Sequence, residues 1–178
     1  SKKLNGEGTV ILTEAVTNQN YSNIDCGGVT FNSTSSAFDA TLNNSEQYTV
    51  ASGVVLTCAN ANTLSNMKIN GAGTVKITGV VTNQNYSNID CGGVTFNSTS
   101  SAFAAALKVS EDYTVSSGVV LTCANANTLS NMKVTGAGTV IIKEAVTNQN
   151  YSNIDCGGVT FNTTSSAFAP TLNNSEQY

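Results

Sequence analysis

The chain has 178 residues, of which 10% are charged, with a net charge of −4; it contains no His and no Trp, and its seven basic residues are all Lys. Phosphate binding needs clustered Lys or Arg to displace counterions, so this balance argues against a nucleic-acid partner. No apolar run approaches the roughly 20 residues that span a bilayer, which argues against membrane insertion.

Taken in order, the chain repeats itself. The segment VTNQNYSNIDCGGVTFNSTSSAF at 16–38 returns unchanged at 81–103, and again at 146–168 with Thr163 in place of Ser. A second block, 48–67, returns at 113–132 with Ser116 in place of Ala51. The period of 65 gives repeat 1 at 1–65, repeat 2 at 66–130 and a partial repeat 3 at 131–178 of a single array. Repetition on this scale predicts a quasi-one-dimensional fold in which each unit buries its apolar face on its neighbours.

A finer rhythm lies inside the 65. The positions Leu4, Cys26, Tyr48, Ile69, Cys91, Tyr113, Val134, Cys156 and Tyr178 follow one another at intervals of 22, 22 and 21, and then the pattern recurs. Apolar and polar residues alternate at 74–78 (TVKIT) and 94–98 (VTFNS), the period-2 signature of strands with one buried face. The prediction is an all-β protein, a β-solenoid (parallel β-helix) of about eight coils of 21–22 residues, three coils to a repeat, forming a rod roughly 38 Å long. This register sets Asn66 beside Asn88 and Asn131 beside Asn153 as an asparagine ladder. The stretch 102–109 has helical propensity, but its equivalents DATLNN and APTLNN are poor helices, so it reads as coil or strand.

The five cysteines, Cys26, Cys58, Cys91, Cys123 and Cys156, fall at alternating intervals of 32 and 33. Two readings follow. They are buried free thiols acting as small hydrophobes, or, since the count is odd, they form interchain disulfides in an assembly. Cys26, Cys91 and Cys156 share a register three coils apart, about 14 Å, beyond the reach of a bond within the chain. Without a CxxC pair or any His, no zinc or other metal site is expected, and no cofactor.

Asp25, Asp90 and Asp155 recur with the array, whereas Asp39 becomes Ala104 and Ala169. Glycoside chemistry needs two carboxylates about 5–10 Å apart at one place. A residue copied into every repeat suits a scaffold better than a unique site, so no catalytic residue and no enzymatic activity are expected. The pairs Gly27-Gly28, Gly92-Gly93 and Gly157-Gly158 lack the Asp that calcium-binding β-rolls place after them. Ice binding needs a flat Thr array on every coil, whereas the Thr here shift between coils. Eight N-x-Ser/Thr sequons, at Asn20, Asn32, Asn43, Asn85, Asn97, Asn150, Asn162 and Asn173, are candidate glycosylation sites on solvent-facing turns.

The segment GAGTVKITG at 71–79, with GEGTVILTE from Gly6 and GAGTVIIKE from Gly136, resembles the G-x-G-T-[VL]-x-[IL]-[TS]-G strand of autotransporter-passenger and adhesin repeats. The resemblance implies a repetitive β-helical protein of a bacterial or archaeal surface. Two functions are therefore expected in parallel. One is an extracellular structural protein whose partner is itself, assembling end to end or laterally into a filament, sheath or surface layer. The other is the rod, stalk or binding region of a large surface adhesin that contacts a host or surface ligand.

Overall fold

Alternation of inward and outward side chains over three or four residues, followed by a Gly-, Asn- or Ser-rich corner, makes short strands that cannot bury a face alone. The structure, a computed structural model, describes residues 3–178, and no helix occurs among them. Strands of two to four residues coil into a parallel β-solenoid of about nine turns with about 19 residues per turn. At about 4.8 Å per turn the rod is about 43 Å long.

Three faces carry the ladders. On the first, Val10–Leu12, Val29–Phe31, Gln47–Val50, Lys68–Asn70 and Ile89–Asp90 are stacked in that order. The second stacks Val55–Cys58, Thr74–Ile77, Val94–Phe96, Asp112–Val115, Lys133–Thr135 and Ile154–Asp155. Ser100–Phe103, Val120–Cys123, Thr139–Ile142 and Val159–Phe161 form the third. Ile89–Asp90, Val94–Phe96 and Ser100–Phe103 are consecutive in the chain and lie one on each face.

The long repeat is not a whole number of turns. Val10 lies on the first face, its equivalent Val75 on the second, and the next equivalent, Val140, on the third. Val29, Val94 and Val159 step round in the same way. Each repeat therefore makes about three and a third turns, rising about 16 Å and rotating its pattern by one face. The array has an approximate threefold screw axis, and about ten turns bring the pattern back to its starting face.

This corrects the finer rhythm while keeping the solenoid. Stacked residues are 19 apart from Val10 to Val29 and from Val29 to Tyr48, 21 from Tyr48 to Ile69, and 20 from Ile69 to Ile89. The step from Tyr48 to Ile69 follows the expected register. Cys26 does not stack on Leu4, whose partner is Ile24, and Tyr113 belongs to the second face rather than above Ile69. Chemically similar corners lie on different faces, so a single spacing does not connect them. The asparagine ladder exists with other partners: Asn85 Nδ2 donates to Asn66 Oδ1 at 3.0 Å and Asn150 Nδ2 to Asn131 Oδ1 at 3.1 Å. The stretch 102–109 is strand and coil, as its equivalents required.

Inward residues make one continuous apolar core along the axis. Phe31 stacks on Tyr48 with centroids 5.6 Å apart and meets Phe38 edge-on at 5.1 Å. Phe96, Tyr113 and Phe103 repeat this one face further round, at 5.7 and 5.1 Å. Such pairs contribute about 0.5–1.5 kcal/mol beyond their area. Among the described residues no buried side-chain polar atom lacks a hydrogen-bond partner. Tyr86 and Tyr151 hydroxyls donate to the Ala61 and Ala126 carbonyls, both at 2.6 Å, while buried Ser35 and Ser100 donate to the Val16 and Val81 carbonyls. At the corner of Gly92 the Ala72 carbonyl of the preceding turn occupies the space of a Cβ, so no larger residue fits without moving backbone.

Candidate functional site

Each repeat carries one thiol–carboxylate corner. The Cys26 N–H donates to Glu46 Oε2 at 2.8 Å, the Cys91 N–H to Glu111 Oε2 at 2.8 Å, and the Cys156 N–H to Glu176 Oε2 at 2.6 Å. The second oxygen of Glu46 accepts the neighbouring Gln47 N–H at 3.0 Å, and Glu176 does the same with Gln177 at 3.1 Å. Each thiol turns back on its own chain, Cys26 Sγ donating to the Gly28 carbonyl at 3.3 Å and Cys91 Sγ to that of Gly93 at 3.4 Å. Glu46 is 5% exposed and Glu111 only 2%. Burial raises the Glu111 carboxyl above its usual range, the Cys91 backbone N–H works against that, and the Asp90 carboxylate adds to it. In a chain so poor in charge these glutamates tie one turn to the next through the backbone, a structural use of an ionisable group. Reading the sequence for paired carboxylates missed them; their signal was a Glu two residues before Tyr48, Tyr113 and Tyr178.

All five cysteines are free. Cys26, Cys91 and Cys156 are half-buried and, because of the repeat rotation, occupy three successive corners instead of one register. Burial pushes the Cys91 thiol up to about 11, against a backbone hydrogen bond at Gly93 that lowers it, and raises Cys156 as well. Cys58 and Cys123 point into the core, 1% and 0% exposed, with thiols pushed up by burial to about 12. That geometry takes Cys58 and Cys123 out of reach of another chain and leaves the three corner cysteines as the ones an interchain bond could use.

The repeating aspartates Asp25, Asp90 and Asp155 lie on different ladders, and Asp90 pairs with Lys108 at 2.6 Å. The unrepeated Asp39 accepts the Thr63 hydroxyl at 2.8 Å. No group of three or more potential metal ligands occurs among the described residues. Outward rows are hydroxyl-rich. On the second face Thr95, Thr114 and Thr135 stand in line, bounded by Lys76 and Asp155; on the first, Thr30 and Thr49 run between Ile11 and Asn70. The Thr rows are thus better aligned than the sequence suggested, yet each is cut within a few turns as the pattern rotates to the next face.

The sequons divide by hydrogen bonding. Asn20, Asn43, Asn85, Asn150 and Asn173 each accept, through Oδ1, the N–H of the Ser two residues on, at 3.0–3.1 Å. These are Asx turns, which build corners. Asn32, Asn97 and Asn162 instead follow directly on strands, with their backbone N–H groups held by Leu12, Ile77 and Ile142 carbonyls at 2.8–2.9 Å.

No protein-family model matches the chain, and neither a curated protein nor a solved structure is significantly similar to it. What can be said of function therefore rests on geometry. Repeated, screw-related surfaces suit contacts made many times over; a single cleft with convergent polar groups is the usual basis of small-molecule chemistry.

Proposed function

We propose that the chain is an extracellular structural protein that assembles with copies of itself into a filament, sheath or surface layer. The observation that carries this reading is the rotation of each successive repeat by one face. A rod built so presents nearly the same rows of side chains in three directions at regular heights, and a lattice or bundle needs equivalent surfaces of this kind. A catalytic or ligand-binding site needs a unique one, which is why the chain is read as non-catalytic. The corner cysteines Cys26, Cys91 and Cys156 add support, since they follow the same rotation and would link neighbours on every side.

A second reading is the rod or stalk of a large surface adhesin, favoured by the GAGTVKITG strand at 71–79, which forms a second-face rung as the resemblance to adhesin repeats implies. Electron microscopy of native, unreduced material separates the two. Filaments, tubes or sheets support assembly; isolated short rods in concentrated samples overturn it and favour the stalk. Non-reducing electrophoresis adds a second readout, a thiol-sensitive ladder for cross-linked assembly against a monomer unaffected by reductant.

A further inference from the structure

We infer that the chain takes Asn-linked glycan at Asn32, Asn97 and Asn162, on three successive corners of the rod, and leaves Asn43, Asn85, Asn150 and Asn173 bare. The inference rests on the extracellular reading above and adds to it a modification with a defined geometry.

Eight asparagines satisfy the same short motif, and the fold gives them two different tasks. In Asn43, Asn85, Asn150 and Asn173 both ends of the side-chain amide are in use. Besides the Asx turn made by Oδ1, Nδ2 donates across to the neighbouring turn: Asn43 to the Ile24 carbonyl at 2.7 Å, Asn173 to that of Ile154 at 2.7 Å, Asn85 to Asn66 Oδ1 at 3.0 Å and Asn150 to Asn131 Oδ1 at 3.1 Å. All four residues are half-buried between stacked turns. A sugar on that nitrogen would have to occupy the space of the turn it bonds to. Asn20 makes the same Asx turn, and by the same spacing the position opposite it is Ser1, outside the described residues, so it belongs to neither group here.

Asn32, Asn97 and Asn162 are placed otherwise. Phe31 and Phe96 point into the core at 1% exposure, and strand alternation turns the next residue away from it, leaving Asn32 and Asn162 exposed and Asn97 half-buried. The backbone of each Asn is fixed by the preceding turn, while its side chain makes no hydrogen bond among the described residues. The third sequon residue is used by the fold only as an acceptor: Thr34 and Thr99 Oγ1 receive the Val55 and Val120 N–H groups at 3.1 Å. A glycan on these three nitrogens displaces no bond between turns.

The chemistry is a group transfer from a lipid-linked oligosaccharide. The amide nitrogen Nδ2 loses one proton to the transferase and forms a bond to C1 of the first sugar. The bond from C1 to the phosphate oxygen breaks, and the lipid pyrophosphate leaves with its electron pair. Nothing is oxidised or reduced. Because the repeat rotates by one face, the three sugars stand about 16 Å apart along the axis and wind round the rod as a stripe.

The test is secretion of the full chain from a host that glycosylates Asn, followed by enzymatic deglycosylation in heavy-oxygen water, which converts each occupied Asn to labelled Asp. Mass-spectrometric mapping is expected to find label at Asn32, Asn97 and Asn162. Comparable label at Asn43, Asn85, Asn150 or Asn173, or none at all, overturns the inference. The triple variant N32Q/N97Q/N162Q, produced without glycan, should melt where the unglycosylated parent does, while Asn85→Gln should melt about 2–4 °C lower; the reverse order overturns the assignment of tasks. Microscopy of the same secreted material reads the assembly proposal separately, since mapped glycan on isolated rods would sink only that reading.

Discussion

Asn66 and Asn85 hold each other twice across one turn of the solenoid: the Asn66 N–H donates to the Asn85 carbonyl at 2.8 Å, and Asn85 Nδ2 returns to Asn66 Oδ1 at 3.0 Å. Asn66 sits at φ 64, as does its equivalent Asn131. The left-handed conformation costs most side chains about 1–2 kcal/mol, and Asn and Gly tolerate it best. Asn66→Ala and Asn66→Gly both remove the side-chain bond, worth about 0.5–1.5 kcal/mol, but only the alanine also meets the steric cost. Urea denaturation should therefore rank wild type above Gly and Gly above Ala, with about 1 kcal/mol between the two variants. Equal values would mean that the corner does not depend on its backbone conformation.

The middle repeat replaces an amide tie with a charged one. Where Asn43 and Asn173 donate to the Ile24 and Ile154 carbonyls, Lys108 reaches Asp90 at 2.6 Å. Asp90 is 62% exposed, so water and salt screen the pair and its contribution is about 0–1 kcal/mol. Lys108→Asn should restore the amide tie and change stability by less than about 0.5 kcal/mol, with the salt dependence of unfolding reduced. A far larger loss on this exchange would show that the ion pair has a greater role than its exposure allows.

The sequence made the solenoid legible because alternation at 74–78 and 94–98 and the copied block from Val16 leave few other ways to bury Val75, Ile77, Val94 and Phe96. The turn length was hidden because corners differ in size: the step from Val29 to Tyr48 is shorter by two than the step from Tyr48 to Ile69, so no single spacing exists to be found. Corners rich in Asn, Ser and Gly also look alike on every face, so spacing alone sets Cys26 over Leu4, whose partner is Ile24. Burial of Ser35 and Ser100 could not be read at all, since it depends on carbonyls of Val16 and Val81 that only the coiling brings to them. Spacing sets Cys26, Cys91 and Cys156 apart from Cys58 and Cys123 without saying which set faces the core; it is the alternation within Val55–Cys58 and Val120–Cys123 that sends those two inward.

Burial of neutral thiols makes the fold sensitive to alkali. Cys58 and Cys123 have folded values of about 12, raised first by burial and, for Cys58, also by the Asp39 carboxylate. An unfolded thiol ionises near about 8.5. A raised folded value means that the stabilisation is complete below about pH 8.5 and declines as pH rises toward about 12, because only the unfolded chain releases its protons in that window. Tyr48, also pushed up by burial to about 12, acts in the same direction above about pH 10. The denaturation midpoint should be flat from about pH 7 to 8 and fall steeply by about pH 10.5. The double variant C58A/C123A should start lower but fall less steeply; an unchanged slope would place the effect on the tyrosines.

Whole-repeat changes should be tolerated because the repeat carries its own rotation. Deleting 66–130 joins Ser65 to Asn131, recreating the Ser65-Asn66 junction, and every later strand moves back one face onto a surface equivalent to the one it left. The product should remain a cooperative β-solenoid, shorter by about 16 Å, with the rod length read by small-angle scattering. A shortened rod with non-cooperative melting would mean that the repeats are not interchangeable neighbours.

The sharpest test of turn length lies at the second face, where Val75 stacks directly on Val94. Deleting 75–93 joins Thr74 to Val94 and removes one turn in register, since Thr74 already occupies the level that precedes the strand on that face. Deleting 72–93 instead removes the longer spacing that the sequence alone suggested, and takes with it Ala72, Gly73 and Thr74. Those three carry the chain from Lys68–Asn70 on the first face round to Thr74–Ile77 on the second, and without them Gly71 would have to bond to Val94 across the corner. The shorter deletion should keep the parallel-sheet circular dichroism and a single sharp melting transition. The longer one should broaden the transition or abolish it, because either the corner opens or the Val94–Phe96 strand slides and turns its apolar side chains outward. If the longer deletion were the better folded of the two, the turn of about 19 residues and the threefold screw that follows from it would both be wrong.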